Sequence, residues 1–254
     1  MNKVQQIANT LIELKKRAVS EKEIIEKYEE NILSLKNAEL SYAFAKNIEG
    51  VDVKAHGKVV IESKNPEWNY KFTKDVKDAD VKAHEKVVLE SKNPEWNYMF
   101  AKDVKDADVK AHEKVVIESK NPRWNYDFAK DVKGADVKVH EKVVLESKSL
   151  FWNYLFARGI EGTDTKALEK VVLESKNAMW NYKFAKYVKG ADVIAHGKVI
   201  IESKDSTYND WFKKNFEDEY KIIERNNFID GAYNFIDDAL DKMLKENNEE
   251  NKSM

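Results

Sequence analysis

The sequence predicts an all-α fold, an α-solenoid of six 28-residue helical hairpins with a helical cap at each end. Two observations support this prediction. Segment 92–119 repeats segment 64–91 with only three differences, and five tryptophans recur at a constant interval equal to the length of that segment. A period in the range of roughly 20–50 residues indicates stacked repeats, in which each unit packs on its neighbours. These tryptophans are Trp68, Trp96, Trp124, Trp152 and Trp180.

Residues 1–35 are predicted to form the N-terminal helical cap. Apolar residues at helical spacing predict a first helix over 2–18. Ser20 and Glu23 form an S-x-x-E capping box, which predicts that a second helix begins there and reaches about Leu35. The ends of a solenoid need such modified repeats, because an apolar face would otherwise remain open to water.

Each repeat is predicted to contain two short helices, here called helix A and helix B. In the second repeat, Asn65 fits the N-cap of helix A, which is expected to end near Val76. Asp78 occupies a position that is Gly or Asp in every repeat, as a left-handed residue after a helix requires. Asp80 then fits the N-cap of helix B, which is expected to reach about Ser91. The six repeats are 36–63, 64–91, 92–119, 120–147, 148–175 and 176–203.

Residues 204–246 are predicted to form the C-terminal helical cap, and residues 247–254 a disordered tail. Trp211 and the run 220–223 predict that the helix A of this cap extends past its usual end. A last amphipathic helix is expected over about 228–245. Its apolar residues are Phe228, Ile229, Tyr233, Phe235, Ile236, Leu240 and Leu244.

The composition excludes several classes of protein. Charged residues make up 35% of the chain and the net charge is −2, which indicates a solvated surface with both signs interleaved. The absence of cysteine excludes disulfides and thiolate metal sites. The first residues lack the apolar run of a secretory signal, and no segment reaches the roughly 18 apolar residues of a membrane span. We therefore expect a soluble, cytoplasmic protein that crosses no membrane.

All histidines fall in one column of the repeat, and we expect them to be structural and partly buried. Packed helices lie about 8–10 Å apart, whereas the ligands of one zinc ion lie within about 2.3 Å of it. The fifth repeat carries Leu168 in the same column, so the position accepts an apolar residue. The sequence therefore predicts no metal and no cofactor. The column contains His56, His84, His112, His140 and His196.

Asn69 and Ser91 represent two further polar columns. A hydrogen-bonded ladder that fixes the register between near-identical repeats is the simpler interpretation, because buried polar groups must find partners. A Ser-His-Asp triad is the alternative, but six copies of a nucleophile along a core have no chemical purpose. No catalytic residue is predicted, and we expect a non-enzymatic protein.

The repeats differ most at exposed positions of helix A. In the fifth repeat Phe151 and Leu155 stand where the second and fourth repeats carry oppositely charged pairs, and Leu150 and Met179 lie close by. A contiguous apolar patch on a charged surface indicates a contact site. The alternative is a repeat that packs slightly differently, with these side chains turned inward. The predicted partner-binding residues are Met99, Leu150, Phe151, Leu155, Arg158, Met179 and Lys183.

The text FAKDVKDADVKAHEKVVLES resembles a short α-helical tandem repeat of bacterial and phage-type proteins, of the form FAxxVxGADVxxxxxVVxES. It is similar in architecture to HEAT-like α-solenoids over roughly residues 36–204. The resemblance implies a helical-repeat fold and a general binding role. We expect a monomeric scaffold that binds a protein partner. The alternative is a nucleic-acid-binding protein that uses the Lys82 and Lys86 columns for phosphates and the aromatic columns for bases.

Overall fold

The computed structural model describes residues 3–16 and 20–250, and side chains within residues 6–7, 9–10, 12–14 and 20–243. Every regular element in this part of the chain is a helix, and the helices pack as successive pairs, which confirms the predicted all-α solenoid. No helix among these residues combines the length and apolar character needed to cross a membrane. The helices are α1 (Lys3–Lys16), α2 (Glu21–Ser34), α3 (Ala38–Asn47), α4 (Val53–Glu62), α5 (Pro66–Asp75), α6 (Val81–Glu90), α7 (Pro94–Asp103), α8 (Val109–Glu118), α9 (Pro122–Asp131), α10 (Val137–Ser147), α11 (Leu150–Gly159), α12 (Thr165–Glu174), α13 (Ala178–Tyr187), α14 (Val193–Glu202), α15 (Ser206–Asn215) and α16 (Glu217–Glu250).

The chain divides into two compact units, residues 1–147 (unit 1) and residues 148–254 (unit 2). Unit 1 contains α1, α2 and four helix pairs, and unit 2 contains two helix pairs followed by α15 and α16. In unit 1 each helix A packs on the next helix A, and each helix B packs on the next helix B. Helices of about ten residues are marginal alone, so this stacking stabilises them. The fully buried centres of unit 1 are Phe44, Phe72, Phe100, Phe128, Val60, Val88, Val116 and Val144.

The predicted helix caps are present. Asn65 Oδ1 accepts from the backbone N–H of Glu67 at 2.9 Å, and Asp80 Oδ1 accepts from the backbone N–H of Ala83 at 3.1 Å. Asp78 has a φ of 59°, as predicted for a left-handed residue between the two helices. These local interactions begin and end each short helix at a defined residue.

A second left-handed residue follows each helix B, and here it is a lysine. Lys64 has a φ of 52°, and its N–H donates to the carbonyl of Ile61 at 3.1 Å. Ser63 Oγ donates to the carbonyl of Val60 at 2.6 Å and accepts from the backbone N–H of Asn65 at 3.2 Å. This turn links one repeat to the next. The same lysine conformation occurs at Lys36, Lys92, Lys120, Lys148, Lys176 and Lys204.

The N-terminal cap contains the predicted capping box. Ser20 Oγ accepts from the N–H of Glu23 at 3.3 Å, and the Glu23 carboxylate accepts from the N–H of Ser20 at 3.1 Å. Ile24 and Ile32 of α2 are buried against Phe44 of the first repeat. The side chains of Val4 and Leu11, which contribute to the predicted first helix, lie outside the described residues.

The C-terminal segment differs from its prediction in two respects. The helix predicted to continue past its usual end stops at Asn215, and Phe216 leaves the helical conformation before α16 begins. Tyr220 and Ile223 of α16 are buried, but no described side chain after Ile223 is, so the cap includes only the start of this helix. The backbone of α16 is helical up to Glu250, while Leu244 as a side chain and residues 251–254 lie outside the described part. Exposed apolar residues on α16 are Phe228, Tyr233, Phe235, Ile236, Leu240 and Met243.

Candidate functional site

The histidine column is paired with the asparagine column inside the second, third, fourth and sixth repeats. Nδ1 of His84 lies 2.7 Å from Oδ1 of Asn69, and both residues are fully buried. The Asn69 amide nitrogen donates to the carbonyls of Val60 (3.0 Å) and Asn65 (2.8 Å), which fixes the amide orientation. Oδ1 is therefore an acceptor, and Nδ1 of His84 carries the proton. Equivalent pairs join His112 to Asn97, His140 to Asn125 and His196 to Asn181.

A buried glutamate of the preceding repeat lies beside the histidines of three of these pairs, His112, His140 and His196. Glu85 is 3% exposed, and its Oε1 accepts from the backbone N–H of Asp108, the N-cap of the next helix B, at 2.5 Å. The same Oε1 lies 3.4 Å from Nε2 of His112, and Oε2 accepts from Lys82 Nζ at 2.9 Å. The sequence did not predict a role for this column of glutamates. Glu113 and Glu29 make the same contact in unit 1 with Asp136 and Asp52, and Glu169 makes it in unit 2 with Asp192.

Burial keeps the histidines uncharged. It lowers the pKa of His84 and of His196 to about 4, while the nearby carboxylates of Asp80 and Asp192 oppose this shift. Burial also lowers the pKa of His112, against the attraction of Glu85. Within the described residues, no group of three or more His, Asp or Glu side chains is arranged to hold a metal ion. The network can fix the stacking geometry, and the histidines are fully buried rather than partly buried as the sequence predicted.

The tryptophans of the repeats are only half-buried. The Trp96 ring packs 5.8 Å from the Tyr70 ring of the preceding repeat, while the phenylalanines occupy the centre. A residue three positions later covers some of these tryptophans. Lys71 lies 4.4 Å over Trp68, and Lys183 lies 4.4 Å over Trp180. Within each unit these rings lie along one edge of the helix A layer.

Most of the predicted partner-binding residues lie together on this edge in unit 2. Phe151 is 44% exposed, and its ring contacts Trp152 at 4.7 Å and Trp180 at 5.9 Å. Leu155 is half-buried against the core that contains Tyr154. Leu150, Met179 and Lys183 are also half-buried, and Arg158 is exposed. Met99 belongs to unit 1, where it packs against the cores that contain Tyr98 and Tyr70. We call the unit 2 set, Leu150, Phe151, Leu155, Arg158, Met179, Lys183 and Tyr187, the α11–α13 edge.

The α11–α13 edge also lacks a polar contact that unit 1 repeats. There Tyr98 donates to Asp131 of the next repeat at 2.5 Å, and Lys102 Nζ contacts both groups. Burial, together with Asp131, raises the pKa of Tyr98 to about 12. The same contact joins Tyr42 to Asp75 and Tyr70 to Asp103. At the Asp position unit 2 instead carries Gly159 and the exposed Tyr187.

The charge of the edge changes with these substitutions. The sequences of α11 and α13 contain no Asp or Glu and three cations, Arg158, Lys183 and Lys186. In contrast, α5 and α7 each contain two carboxylates. Arg158 Nη1 donates to the Tyr154 hydroxyl at 3.1 Å, and its guanidinium lies 5.4 Å from the Tyr187 ring. The result is an aromatic and cationic surface without carboxylates on its two helices.

Comparisons with protein families, with curated proteins and with solved structures found no match for this chain.

Proposed function

We propose that this chain is a non-enzymatic scaffold that binds a protein partner through the α11–α13 edge. The observation that supports the proposal is the exposed Phe151 ring, which stands between two half-buried tryptophans on helices that have no carboxylate. A surface of this kind recognises an apolar or aromatic side chain flanked by acidic residues. The partner is therefore a protein segment of that chemistry.

The fold suits this role because stacked repeats place equivalent positions of successive helices side by side. The resemblance to bacterial and phage-type tandem repeats and to HEAT-like solenoids belongs to the same proposal, as do a cytoplasmic location and a monomeric state. Phe151, Leu155, Arg158, Met179 and Lys183 form the contact in this proposal. Leu150, the first residue of α11, lies half-buried beside these residues and supports them.

The test is a substitution that copies another repeat of the same chain. Phe151→Glu with Leu155→Lys installs the pair Glu67 and Lys71, which is native in the second repeat, so the fold should be retained. The immobilised full chain and the double variant are compared for the proteins that they retain. A partner with an acidic and apolar segment should be lost from the variant. A control variant, Glu67→Phe with Lys71→Leu, makes the opposite exchange in unit 1 and should leave retention unchanged. Equal retention by the wild-type chain and the Phe151/Leu155 variant would sink the proposal.

A second candidate function is binding of single-stranded nucleic acid on the same edge. Exposed rings beside cations stack on bases and attract phosphates, and the edge has both. The Lys82 and Lys86 columns are less suited, because Lys82 pairs with Glu85 at 2.9 Å and Lys86 with Glu90 at 3.8 Å. Fluorescence anisotropy with a labelled oligonucleotide decides this candidate. Nucleic-acid binding requires an affinity that falls steeply with salt, and no binding at low salt would eliminate it.

A further inference from the structure

One position in the glutamate column of unit 1 is a glycine. Gly57 stands one full repeat before Glu85 and one full repeat after Glu29. In other repeats a glutamate at this position reaches the N-cap amide of the following repeat. Helix α4, which carries Gly57, has no such carboxylate to offer. Asp80 N–H lacks the acceptor that Asp108 and its counterparts have, and Lys54 lies one turn before Gly57, as Lys82 does before Glu85.

A pocket occupies the place of the missing side chain. It has a volume of about 290 Å³ and is lined by residues that include Gly57, Lys54, Asp80 and His84. Nε2 of His84 is buried and has no hydrogen-bond partner among the described residues. A Cβ atom built on Gly57 would lie 3.4 Å from that nitrogen and 3.5 Å from the Phe72 ring. The unpartnered imidazole therefore faces the space above Gly57.

The other glycine of this column shows that the substitution alone does not leave a pocket. Gly197 lies in unit 2, where the C-terminal cap packs against it. A Cβ atom built on Gly197 would lie 2.5 Å from Cδ1 of Ile223 and 2.6 Å from Cε1 of Phe212. There the cap fills the space of the side chain, so glycine is needed for packing. At Gly57 no group from the described part of the chain fills it.

We propose that the pocket above Gly57 binds a small monocarboxylate, whose carboxylate takes the place of the absent glutamate side chain. Its oxygens would accept from the Asp80 N–H and from Lys54 Nζ. Nε2 of His84, which carries no proton while Nδ1 donates to Asn69, would border the carboxylate without a hydrogen bond to it. Propionate has the carbon skeleton of a glutamate side chain from Cβ to the carboxylate, with its methyl carbon at the place of Cβ. The pocket volume leaves room for a few more carbons against Phe72 and Ile61. This site is independent of the α11–α13 edge.

The charges around the pocket favour a single carboxylate. Lys54 and Lys58 lie on α4, and Asp78 and Asp80 lie in the turn before α6. Asp80 is committed to the Ala83 N–H through its side chain, so its backbone N–H remains for the ligand. His84 Nδ1 is committed to Asn69, so only Nε2 faces the pocket. A phosphate would bring a second negative charge beside these two aspartates.

The test is a titration of the ¹⁵N-labelled full chain with sodium propionate, followed by NMR. A ligand of so few atoms should bind with a Kd on the order of 1–10 mM. We expect saturable shifts of the Asp80 amide and of the His84 ring nitrogens. Propanol and propylammonium, which have a similar size but no carboxylate, should cause neither. Shifts that fail to saturate by about 50 mM, or that propanol reproduces, would overturn the proposal.

Two variants locate the site. Gly57→Glu places a tethered carboxylate in the pocket and should abolish the propionate shifts in a chain with an unchanged helical spectrum. Gly57→Ala is the alternative should the larger side chain perturb the fold, since its Cβ narrows the pocket beside His84. Lys54→Ala, on the exposed side, should weaken binding at least about threefold, through loss of a charge-assisted hydrogen bond. Wild-type shifts in either Gly57 variant would show that propionate binds elsewhere and would refute the assignment.

Discussion

Asn69 and His84 are fifteen residues apart in the chain, and Oδ1 of the first lies 2.7 Å from Nδ1 of the second in fully buried surroundings. The contact joins helix A to helix B within one repeat. Glu85 then joins that repeat to the N-cap of the next one. Near-identical repeats could pair in a shifted register on apolar contacts alone. These directional contacts fix how one repeat packs on the next, because a displacement along the helices would leave the buried groups without partners.

Asn97→Ala should destabilise unit 1 strongly. The substitution removes the donor to the Val88 carbonyl at 3.0 Å and the acceptor of the His112 ring at 2.7 Å. Each buried group left unpaired costs about 1–3 kcal/mol, so the free energy of unfolding should fall by about 2–5 kcal/mol. Urea denaturation followed by circular dichroism measures it. Lys114→Ala, on the solvated face, is the control and should stay within about 0.5 kcal/mol. A loss below about 1 kcal/mol for Asn97→Ala would contradict the interpretation.

Stability should fall as the pH is lowered from about 6.5 to 4. Burial lowers the pKa of His84 and of His196 to about 4 in the folded chain, whereas the unfolded value is about 6.5. Between these values the unfolded chain binds more protons than the folded chain, so the free energy of unfolding decreases as the pH falls. Above a pH of about 6.5 the histidines are neutral in both states and the full stability is present. For His84 and His196 the change is on the order of 3 kcal/mol each across this window.

The variant that checks this prediction is His84→Leu, which copies the buried Leu168 of the fifth repeat. Urea midpoints at pH 7.5 and pH 5 are compared for the variant and the wild-type chain. The variant is expected to be less stable at pH 7.5 but to lose less stability on acidification. An identical loss in both proteins would show that His84 does not contribute to the pH dependence.

Glutamate should have opposite effects at the two glycines of its column. Gly57→Glu removes a glycine from the interior of a helix, which should raise the free energy of unfolding by about 0.5–1 kcal/mol. The new carboxylate also supplies an acceptor for the Asp80 N–H. Gly197→Glu forces a Cβ to within 2.5 Å of Ile223, and such overpacking costs about 1–3 kcal/mol or more. Thermal denaturation should therefore show a higher Tm for the first variant and a lower Tm for the second. A shift of the same sign in both would be inconsistent with the structure.

Removal of residues 227–254 should leave the fold and its Tm nearly unchanged. No described side chain after Ile223 is buried, so the deleted part of α16 contributes no core contact there. Ile223→Ala provides the contrast, since this residue is fully buried and its truncation should cost about 2–5 kcal/mol. Calorimetry of the two variants distinguishes these expectations. A large loss of Tm on truncation would mean that the distal part of α16 packs on the fold.

The repeat boundaries could be predicted because the signals are local. Asn65, Asp78 and Asp80 act through backbone groups a few residues away, and residue type alone indicates those roles. Lys64 shows the limit of this reasoning. It adopts a left-handed conformation that glycine or asparagine would have indicated, yet lysine gives no such signal.

The glutamate column could not be identified from helical periodicity. Glu85 follows Lys82 by three residues and resembles a solvated ion pair, and its Oε2 does bind that lysine. Its Oε1 accepts from the backbone N–H of Asp108, 23 residues further on, and a pattern within one helix does not contain that partner. The replacement of glutamate by Gly57 and Gly197, in the first and last repeats, was the available signal.

For the predicted partner-binding residues, too, the sequence indicates the helix face but not the depth of burial. Phe151 is exposed, while Leu150, Leu155 and Met179 are half-buried, so each of the two sequence interpretations describes part of the cluster. Helical phase places these residues on one edge. The depth of each side chain depends on the neighbouring ring, such as Trp180, and that depends on the three-dimensional packing.

Within unit 1, segments 64–91 and 92–119 carry the same groups for contact with their neighbours. Each offers a glutamate to the following repeat. Each also offers a histidine and an N-cap amide to the preceding repeat. In amino-acid sequence the two segments are interchangeable, since they differ at three positions only. A crossover between misaligned copies adds or removes one whole repeat in frame, and each new junction is chemically complete from the first generation. The length of the array is therefore a heritable variable that can change in one recombination event without a poorly folded intermediate.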